Sequence, residues 1–403
     1  MKNVALVTTG ILPVPAVRGG AVETFSTFLL ELLNATGRYQ TDVFTCADER
    51  LDDYFYENAR LLQLSYNNMD KFKEKWTGRI RRRLNIRMGY EAFHYAFRRC
   101  FDQKKYDLVI FENCMRNICA VERKSREGVW VYHANNDLET FIGDKSVLNL
   151  KNVAGKCDII LTCSNYIKNR FQPYTGECCI ETYYNALDID SYNCKASDDV
   201  NLRDRYRIPD TDFVFLFSGR ITPEKGILET IQAFSKLSKD SARLVIVGNL
   251  EDNIVGDTSY AKRVKEAALE ENVKERITLT GWIEPEEMPY LYKMSDCVIV
   301  PSQWEEPFGM VVTEGMIMGK PMIVTKSGGI PEIVDESCAF VVERGETGVS
   351  QITDGMRMLM EDRERAYEMG HNGYKRVMMH KEWQKEYYLE NFFGILDRNG
   401  LSI

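Results

Sequence analysis

Short runs of Val, Ile, Leu and Phe alternate with longer helix-patterned stretches almost from end to end, and the alternation breaks once and then resumes. In the first half the pattern predicts strands over Val4–Thr8, Asp42–Cys46, Leu108–Glu112, Trp130–His133, Ile159–Ser164 and Cys178–Tyr184, with helices such as Val22–Thr36 and Val147–Lys156 between them. Strands that are apolar throughout, rather than at every second residue, belong to parallel sheets covered on both faces by helices. A polar stretch, Asp188–Asp212, reads as a linker. Strands are then expected at Phe213–Ser218, Arg243–Gly248, Ile277–Gly281, Cys297–Pro301 and Met322–Thr325, with a helix over Ile227–Lys239. Two such runs in 403 residues imply two doubly wound, Rossmann-like α/β domains, 1–187 and 188–380, followed by an amphipathic helix from Lys381 on. In such sheets ligands bind beyond the carboxyl ends of the strands, so two domains facing each other would form a cleft there.

Apolar residues at 44% and charged residues at 28% suit a soluble globular chain, and a net charge of -8 argues against a general nucleic-acid binder. No apolar run approaches the length of a membrane span, and MKNVALVTTG reads as a strand rather than a signal peptide, so the expected location is the cytoplasm. The 11 cysteines include no CxxC pair, and with only four histidines they read as reduced, small core hydrophobes rather than a zinc site.

The motifs lie at or just past predicted strand ends. In EPFGMVVTE, Glu306 is expected in a loop and Glu314 about one and a half turns into the next helix, roughly 10 Å away at a rise near 1.5 Å per residue. That gap suits two hydroxylated rings joined by a diphosphate, with one carboxylate on each ring. The helix N-terminus between them offers N–H groups and a positive dipole end to the phosphates, and a sugar nucleotide has this shape. In FSGRITPEKG, Gly219 permits a tight turn and Pro223 suits a helix start. Arg220 and Lys225 then carry two cations over the strand end, where a planar fork and a point charge fit a diphosphate, although two solvated charges would read the same way. In RGGAVE, Gly19 and Gly20 precede a helix and either let backbone approach a phosphate or sugar or simply join loop to helix. The segment is not GxGxxG, which weakens a nicotinamide-cofactor reading.

His133 closes VWVYH, where it either polarises a reacting group across a cleft or serves structure. NALDID contains the DxD pair Asp188 and Asp190, a pattern that holds a metal in other transferases. With no further ligands beside it, Asn185 and Asp188 are expected to cap a turn, and no metal is expected. The stretch from Lys71 to Arg99 is basic, with Lys73, Lys75, Arg79, Arg81, Arg82, Arg83, Arg87 and Arg98 interleaved with Phe72, Trp76, Ile80 and Leu84. It suits contact with an anionic membrane, or a solvated helix face.

Together these segments resemble family 4 of the retaining glycosyltransferases, within the group 1 glycosyl transferases, whose GT-B architecture is two facing doubly wound domains. The resemblance spans nearly the whole chain and is strongest over Phe213–Val334, in the succession SGRITPEKG, GWIEPEEMPYLYKMSDCVIVPS and EEPFGMVVTEGMIMGKPMIVTKSGGIPEIV. It implies that Glu306 contacts the donor sugar beside its anomeric carbon, that Glu314 holds the ribose hydroxyls, and that Arg220 and Lys225 neutralise the departing diphosphate. It also implies backbone contacts from Phe308, Gly309 and Met310, a nucleobase bracketed by Gly281 and Trp282, and a loop at Gly19 and Gly20 that closes over the donor. A sugar contact from His133 and a terminal helix, 381–403, that packs back on the first domain complete the implied set. Two departures stand out. Asn185-Ala186 occupies the place of the usual Asn-Gly turn, and the segment Asp48–Arg99 is idiosyncratic, so acceptor recognition does not carry over.

The expected function is therefore retaining transfer of a sugar from a UDP- or GDP-linked donor to a glycan or lipid-linked acceptor, in cell-surface polysaccharide synthesis at the inner face of the membrane. Glu306, His133, Arg220 and Lys225 would carry the chemistry, with no cofactor, no metal and no nucleic-acid partner. A sugar-nucleotide epimerase of the same fold and a non-catalytic nucleotide-sugar-binding partner are the alternatives.

Overall fold

The apolar runs form the strands of two parallel sheets, one in each of two compact units, Met1–Ala186 with Lys385–Ile403 and Leu187–Gln384. The computed structural model describes residues 1–64, 91–138, 144–193, 201–237, 240–250, 258–270 and 272–403. In the first unit the strands are β1 (Lys2–Val7), β2 (Tyr39–Cys46), β3 (Ala59–Leu64), β4 (Leu108–Glu112), β5 (Val129–Ala134), β6 (Ile159–Thr162) and β7 (Cys179–Thr182). They lie in the order β3-β2-β1-β4-β5-β6-β7, with every neighbouring pair parallel. Val4 to Val7 of β1 and Leu108 to Phe111 of β4 have no exposed surface, as strands covered on both faces require.

In the second unit β8 (Phe213–Ser218), β9 (Ala242–Val247), β10 (Ile277–Gly281), β11 (Cys297–Val300), β12 (Met322–Thr325) and β13 (Ala339–Val342) lie in the order β10-β9-β8-β11-β12-β13, again all parallel. Its core packs Phe213, Phe215, Ile227, Ile231, Leu244 and Met356 around the sheet. Both sheets grow outward from their first strand and then reverse, between β1 and β4 and between β8 and β11. At such a reversal the loops leaving adjacent strands diverge to opposite faces and open a crevice.

Several elements differ from expectation. β3 lies inside the segment read as an idiosyncratic insert, and β13 was not foreseen. Both are partly buried edge strands; β3, ARLLQL, mixes polar with apolar residues, whereas β13, AFVV, is apolar but only four residues long. The polar linker contains a 3-10 turn, Ile189–Tyr192, and a short helix, Leu202–Arg205, anchored by buried Leu202 and capped by the Asn201 side chain. The expected helix over Ile227–Lys239 is assigned only as Ile227–Ser235.

The terminal helix starts at Lys385, four residues later than expected. Lys381–Trp383 forms a 3-10 turn that stays with the second unit. Trp383 stacks on His380 with centroids 4.1 Å apart, and Gln384 Nε2 donates to the Val377 and Met378 carbonyls, each at 3.0 Å. The helix Lys385–Arg398 belongs to the first unit. There Tyr388 stacks on Tyr183 at 4.5 Å and meets Phe28 edge-on at 6.4 Å, while Phe393 stacks on Tyr39 at 5.2 Å.

No described helix is long and apolar enough to cross a membrane. Of the basic residues between Lys71 and Arg99, only Arg98 and Arg99 lie among the described residues, in the helix Glu91–Cys100. The rest, with Phe72, Trp76, Ile80 and Leu84, lie outside them. Ten of the eleven cysteines are described, all as free thiols; Cys100 is exposed, so it is not a core residue.

Candidate functional site

In the second unit the chemistry gathers at the reversal between β8 and β11. Gly219 leaves β8 and its N–H donates to the Val247 carbonyl at 3.1 Å. Pro223–Lys225 forms a 3-10 turn with proline at its start, and Gly226 ends it in the left-handed region with φ 72°. A Cβ on Gly226 would fall on the Pro301 carbonyl, so glycine is what lets the loop after β8 lie against the loop after β11. A backbone bond from Gln303 N–H to the Glu224 carbonyl, 2.7 Å, ties the two loops together.

That contact sets Lys225 beside Glu306. Lys225 Nζ donates to Glu306 Oε1 at 2.6 Å, and Ser302 Oγ donates to the same oxygen at 2.6 Å. The ammonium also lies 5.5 Å from the centroid of the Trp304 ring. Glu306 is buried, and its backbone is fixed as well: its N–H donates to Ser327 Oγ at 3.3 Å, and its carbonyl accepts from Gly329 N–H at 2.8 Å. Gly328 sits between those two partners at φ 52°, where a Cβ would fall on the Glu306 backbone. Glu305 accepts from Gly328 N–H at 2.6 Å and from Arg344 Nη2 at 2.5 Å. Burial pushes the Glu306 carboxyl up, but the charge and hydrogen bond of Lys225, with the Ser302 hydroxyl, outweigh it and hold it below the ordinary carboxylate range. Arg220, on the same loop as Lys225, is exposed and has no side-chain partner among the described residues.

Gly309, at φ 117°, opens the helix Met310–Ile317, while Phe308 is buried and packs edge-on against Trp383 at 6.5 Å. Glu314 lies in the second turn of that helix. Its Oε2 accepts from Tyr292 Oη at 2.6 Å, and the Tyr192 hydroxyl bonds to the same carboxylate. Burial holds the Glu314 carboxyl above its ordinary range despite the two phenols. Along the rim of the sheet, Gly281 ends edge strand β10 at φ 78° with open space around it, and its carbonyl accepts from Gly248 N–H at 3.0 Å. The neighbouring Trp282 is 58% exposed. A Cβ on Gly248 would in turn fall on the Gly219 carbonyl.

The two glutamates give opposite pH slopes. The folded pKa of Glu306 lies below its unfolded value, so its contribution is full above about pH 4.3 and is lost as the pH falls through the folded value. The folded pKa of Glu314 lies above its unfolded value, so it costs stability at neutral pH and that cost disappears on acidification. Glu314→Gln is therefore expected to melt above the wild type at pH 7, with the gap closing toward about pH 4, in thermal denaturation followed across pH. A lower melting temperature at pH 7 would show that the phenol bonds outweigh desolvation.

In the first unit the corresponding reversal lies between β1 and β4. Gly19 and Gly20 adopt φ 72° and 99° before the helix Ala21–Thr36. Gly19 has open space around it, whereas a Cβ on Gly20 would meet the Glu23 carboxylate. Arg18 pairs with Asp48, and Arg50 Nη1 donates to the Val17 carbonyl at 2.9 Å, so the glycine loop is braced on both sides. Glu23 is buried, accepts from Thr9 Oγ1 at 2.9 Å, and is pushed up by burial against that bond. His133 faces no open rim: its ring is fully buried, 5.0 Å from that of Tyr183, with Nδ1 3.0 Å from Glu112 Oε2. The two residues stand opposite each other across the β4–β5 pair.

Glu112, Glu23, Ser302, Ser327, Tyr192 and Tyr292 were not singled out from the sequence. Glu112 had a signal, a carboxylate closing an otherwise apolar strand; Ser302 lies only four residues from its partner Glu306, and the others have partners farther along the chain. Asp188 precedes the 3-10 turn Ile189–Tyr192 and Asp190 lies within it; the Asp188 carbonyl accepts from Ser191 N–H at 3.2 Å and that of Asp190 from Asn193 N–H at 3.1 Å. Among the described residues, no group of three or more His, Cys, Asp and Glu comes together as a metal site.

Residues 198–376 match the family described as glycosyl transferases group 1. The lipopolysaccharide 1,2-N-acetylglucosaminetransferase of Salmonella typhimurium is 30% identical over 230 residues, 56% of each chain, so the chain spans about half the length of that relative. Among solved structures, sucrose-phosphate synthase from Thermosynechococcus elongatus is similar with a TM-score of 0.79 and 18% identity over 99% of this chain and 98% of the other. The Anabaena protein Alr3699/HepE in complex with UDP-glucose is similar with a TM-score of 0.75 and 18% identity over 99% of this chain and 100% of the other. The fold is α/β and of the GT-B class.

Proposed function

We propose, on the premise of a GT-B fold whose residues 198–376 match the group 1 glycosyl transferases, that this chain transfers a sugar with retention from a nucleoside diphosphate sugar to a hydroxyl of a glycan or lipid-linked acceptor. The observation that carries the reading is at the β8/β11 reversal: a buried, ionised Glu306 held by Lys225 at 2.6 Å, with an uncommitted cation, Arg220, on the same loop. The demanding part of such a transfer is the charge that builds on the departing diphosphate. Arg220 can fork onto two phosphate oxygens, and Lys225 adds a point charge whose position Glu306 already fixes. Charges held in place before the reaction stabilise it without reorganising during it.

Glu306 orients the donor sugar, and Glu314 takes the ribose hydroxyls at the carboxylate that Tyr192 and Tyr292 already steady. Gly281 and Trp282 bracket the base, UDP or GDP, and backbone at Phe308, Gly309 and Met310 meets the sugar and phosphates. Gly19 and Gly20 serve the substrate from the first unit's own strand ends. The substitution occurs on one face of the sugar: the bond from the anomeric carbon to the diphosphate oxygen breaks, the acceptor oxygen bonds on that same face, and its proton passes to the leaving phosphate. The two cations stand in for a metal ion. The relative named for lipopolysaccharide supports a lipid-borne acceptor in cell-surface polysaccharide synthesis, and the neighbour bound to UDP-glucose supports a nucleotide-sugar donor. Contact of the basic stretch 71–99 with an anionic inner membrane face rests on its charge alone.

Incubation with a panel of UDP- and GDP-linked sugars and glycan or lipid-linked acceptors is expected to release nucleoside diphosphate and to give a product of unchanged anomeric configuration. An isomeric sugar nucleotide formed without any acceptor would replace this reading with an epimerase. No release and no thermal shift with any nucleotide sugar would remove both.

A further inference from the structure

In the second unit, two loops meet residue for residue beside Glu306. Ser327 Oγ donates to the Trp304 carbonyl and accepts from Glu306 N–H at 3.3 Å, and Gly329 N–H donates to the Glu306 carbonyl at 2.8 Å. Between these contacts Gly328 N–H donates to a side chain, Glu305 Oε2, at 2.6 Å. The other oxygen, Glu305 Oε1, accepts from Arg344 Nη2 at 2.5 Å. A backbone N–H and a guanidinium can only donate, so the direction of both bonds is fixed by chemistry. Arg344 precedes the helix Gly345–Glu361, and Gly345 N–H donates to Gln303 Oε1 at 3.1 Å. The one carboxylate of Glu305 therefore joins the loops that leave three adjacent strands, β11, β12 and β13. The side chains of Glu305 and Arg344 are 37% and 38% exposed, and ion pairs so open to water contribute little to folding. Stability alone does not account for the pair.

We infer that Glu305, oriented by Arg344, is a positioning residue that holds the loop 327–329 against Glu306 and so fixes where the Glu306 carboxylate meets the donor sugar. Glu305 acts through Glu306 and touches no substrate itself. Both main-chain polar groups of Glu306 bond to the loop 327–329, so the placement of its Cα follows that loop. Lys225 and Ser302 hold the far end of the side chain, and the loop holds its root. Of the contacts between the two segments, the Glu305 carboxylate is one that a substitution can remove without adding an atom to either backbone. A shift of about 1 Å in a substrate-orienting group costs on the order of 10²-fold in rate, so a bond of little value to folding has a large effect here.

The inference rests on the transferase reading for its rate consequence and on geometry for the brace, so two measurements separate them. Glu305→Ala is expected to lower turnover with a nucleotide-sugar donor on the order of 10²-fold. Binding of UDP or GDP alone, measured by calorimetry, should stay near the wild-type value, because Glu306 serves the sugar and not the base or ribose. Glu305→Gln keeps an oxygen for Gly328 N–H and should retain most of the turnover. Arg344→Ala should fall between the two, and adding it to Glu305→Ala should lower the rate no further, because both act through one contact. Hydrogen exchange over residues 326–330, followed by mass spectrometry, should quicken in Glu305→Ala and stay slow in Glu305→Gln. Wild-type turnover in Glu305→Ala, or a loss of nucleotide binding as large as the loss of turnover, overturns the proposal. If the wild type transfers no sugar, the transferase reading fails on its own, and unchanged exchange in Glu305→Ala would still overturn the brace.

Discussion

Lys225→Ala and Arg220→Ala should each lower turnover with a nucleoside diphosphate sugar on the order of 10²–10³-fold, the range that one preorganised charge-stabilising donor contributes. The two variants should part in their stability. Arg220 is exposed and has no side-chain partner among the described residues, so its loss should leave the melting temperature close to that of the wild type. Lys225 is the ion-pair partner of a buried carboxylate, so its removal leaves Glu306 without its cation and should cost about 1–3 kcal/mol. In that variant burial is no longer outweighed at Glu306, the carboxyl rises, and part of the loss should be recovered as the pH is lowered. Steady-state kinetics and thermal melts of both proteins make the comparison. Near-normal turnover in both would remove the diphosphate clamp, and equal melting temperatures would show that the Lys225–Glu306 pair contributes nothing net to folding.

The second large effect concerns a residue with no side chain. Gly328→Ala should destabilise the protein by about 1–3 kcal/mol and abolish most transfer, because the added Cβ meets both a left-handed backbone and the Glu306 main chain. To escape, the loop must withdraw Ser327 Oγ and Gly329 N–H from Glu306, and the carboxylate then loses its placement relative to Lys225. Gly319→Ala is the control. Its φ of 66° is equally left-handed but the space around it is open, so it carries the backbone cost without the collision. If the two variants behave alike in stability and activity, packing around Glu306 is not what Gly328 protects.

Which parts of this arrangement could be read in advance follows from how local each one is. Burial on both faces makes the central strands uniformly apolar, so β1, β4, β8 and β11 stood out and with them the doubly wound plan. Edge strand β3 mixes polar with apolar residues and passed unseen, as did edge strand β13, whose apolar run is only four residues long. The motif residues Arg220, Lys225, Glu306 and Glu314 come from two short segments whose loop and helix ends declare themselves. That Lys225 would be committed to Glu306 was not legible, because it depends on Gly226 touching Pro301 across two strands. The link between Tyr192 and Glu314 depends on a turn in a stretch that reads as linker. His133 was visible as a histidine at a strand end, but its burial and its carboxylate partner depend on the β4–β5 register, which apolar patterning alone does not set.

The helix Lys385–Arg398 has a consequence for how the protein is made. Tyr388, Phe392, Ile395 and Leu396 are buried parts of the same unit as Met1–Ala186, yet they follow the whole of the second unit in the chain. The seven-stranded sheet therefore leaves the ribosome before the second unit does, and its aromatic socket at Phe25, Phe28 and Tyr183 stays unfilled until the second unit has been made. A nonsense codon or a protease cut just beyond the second unit would thus injure the unit translated before it.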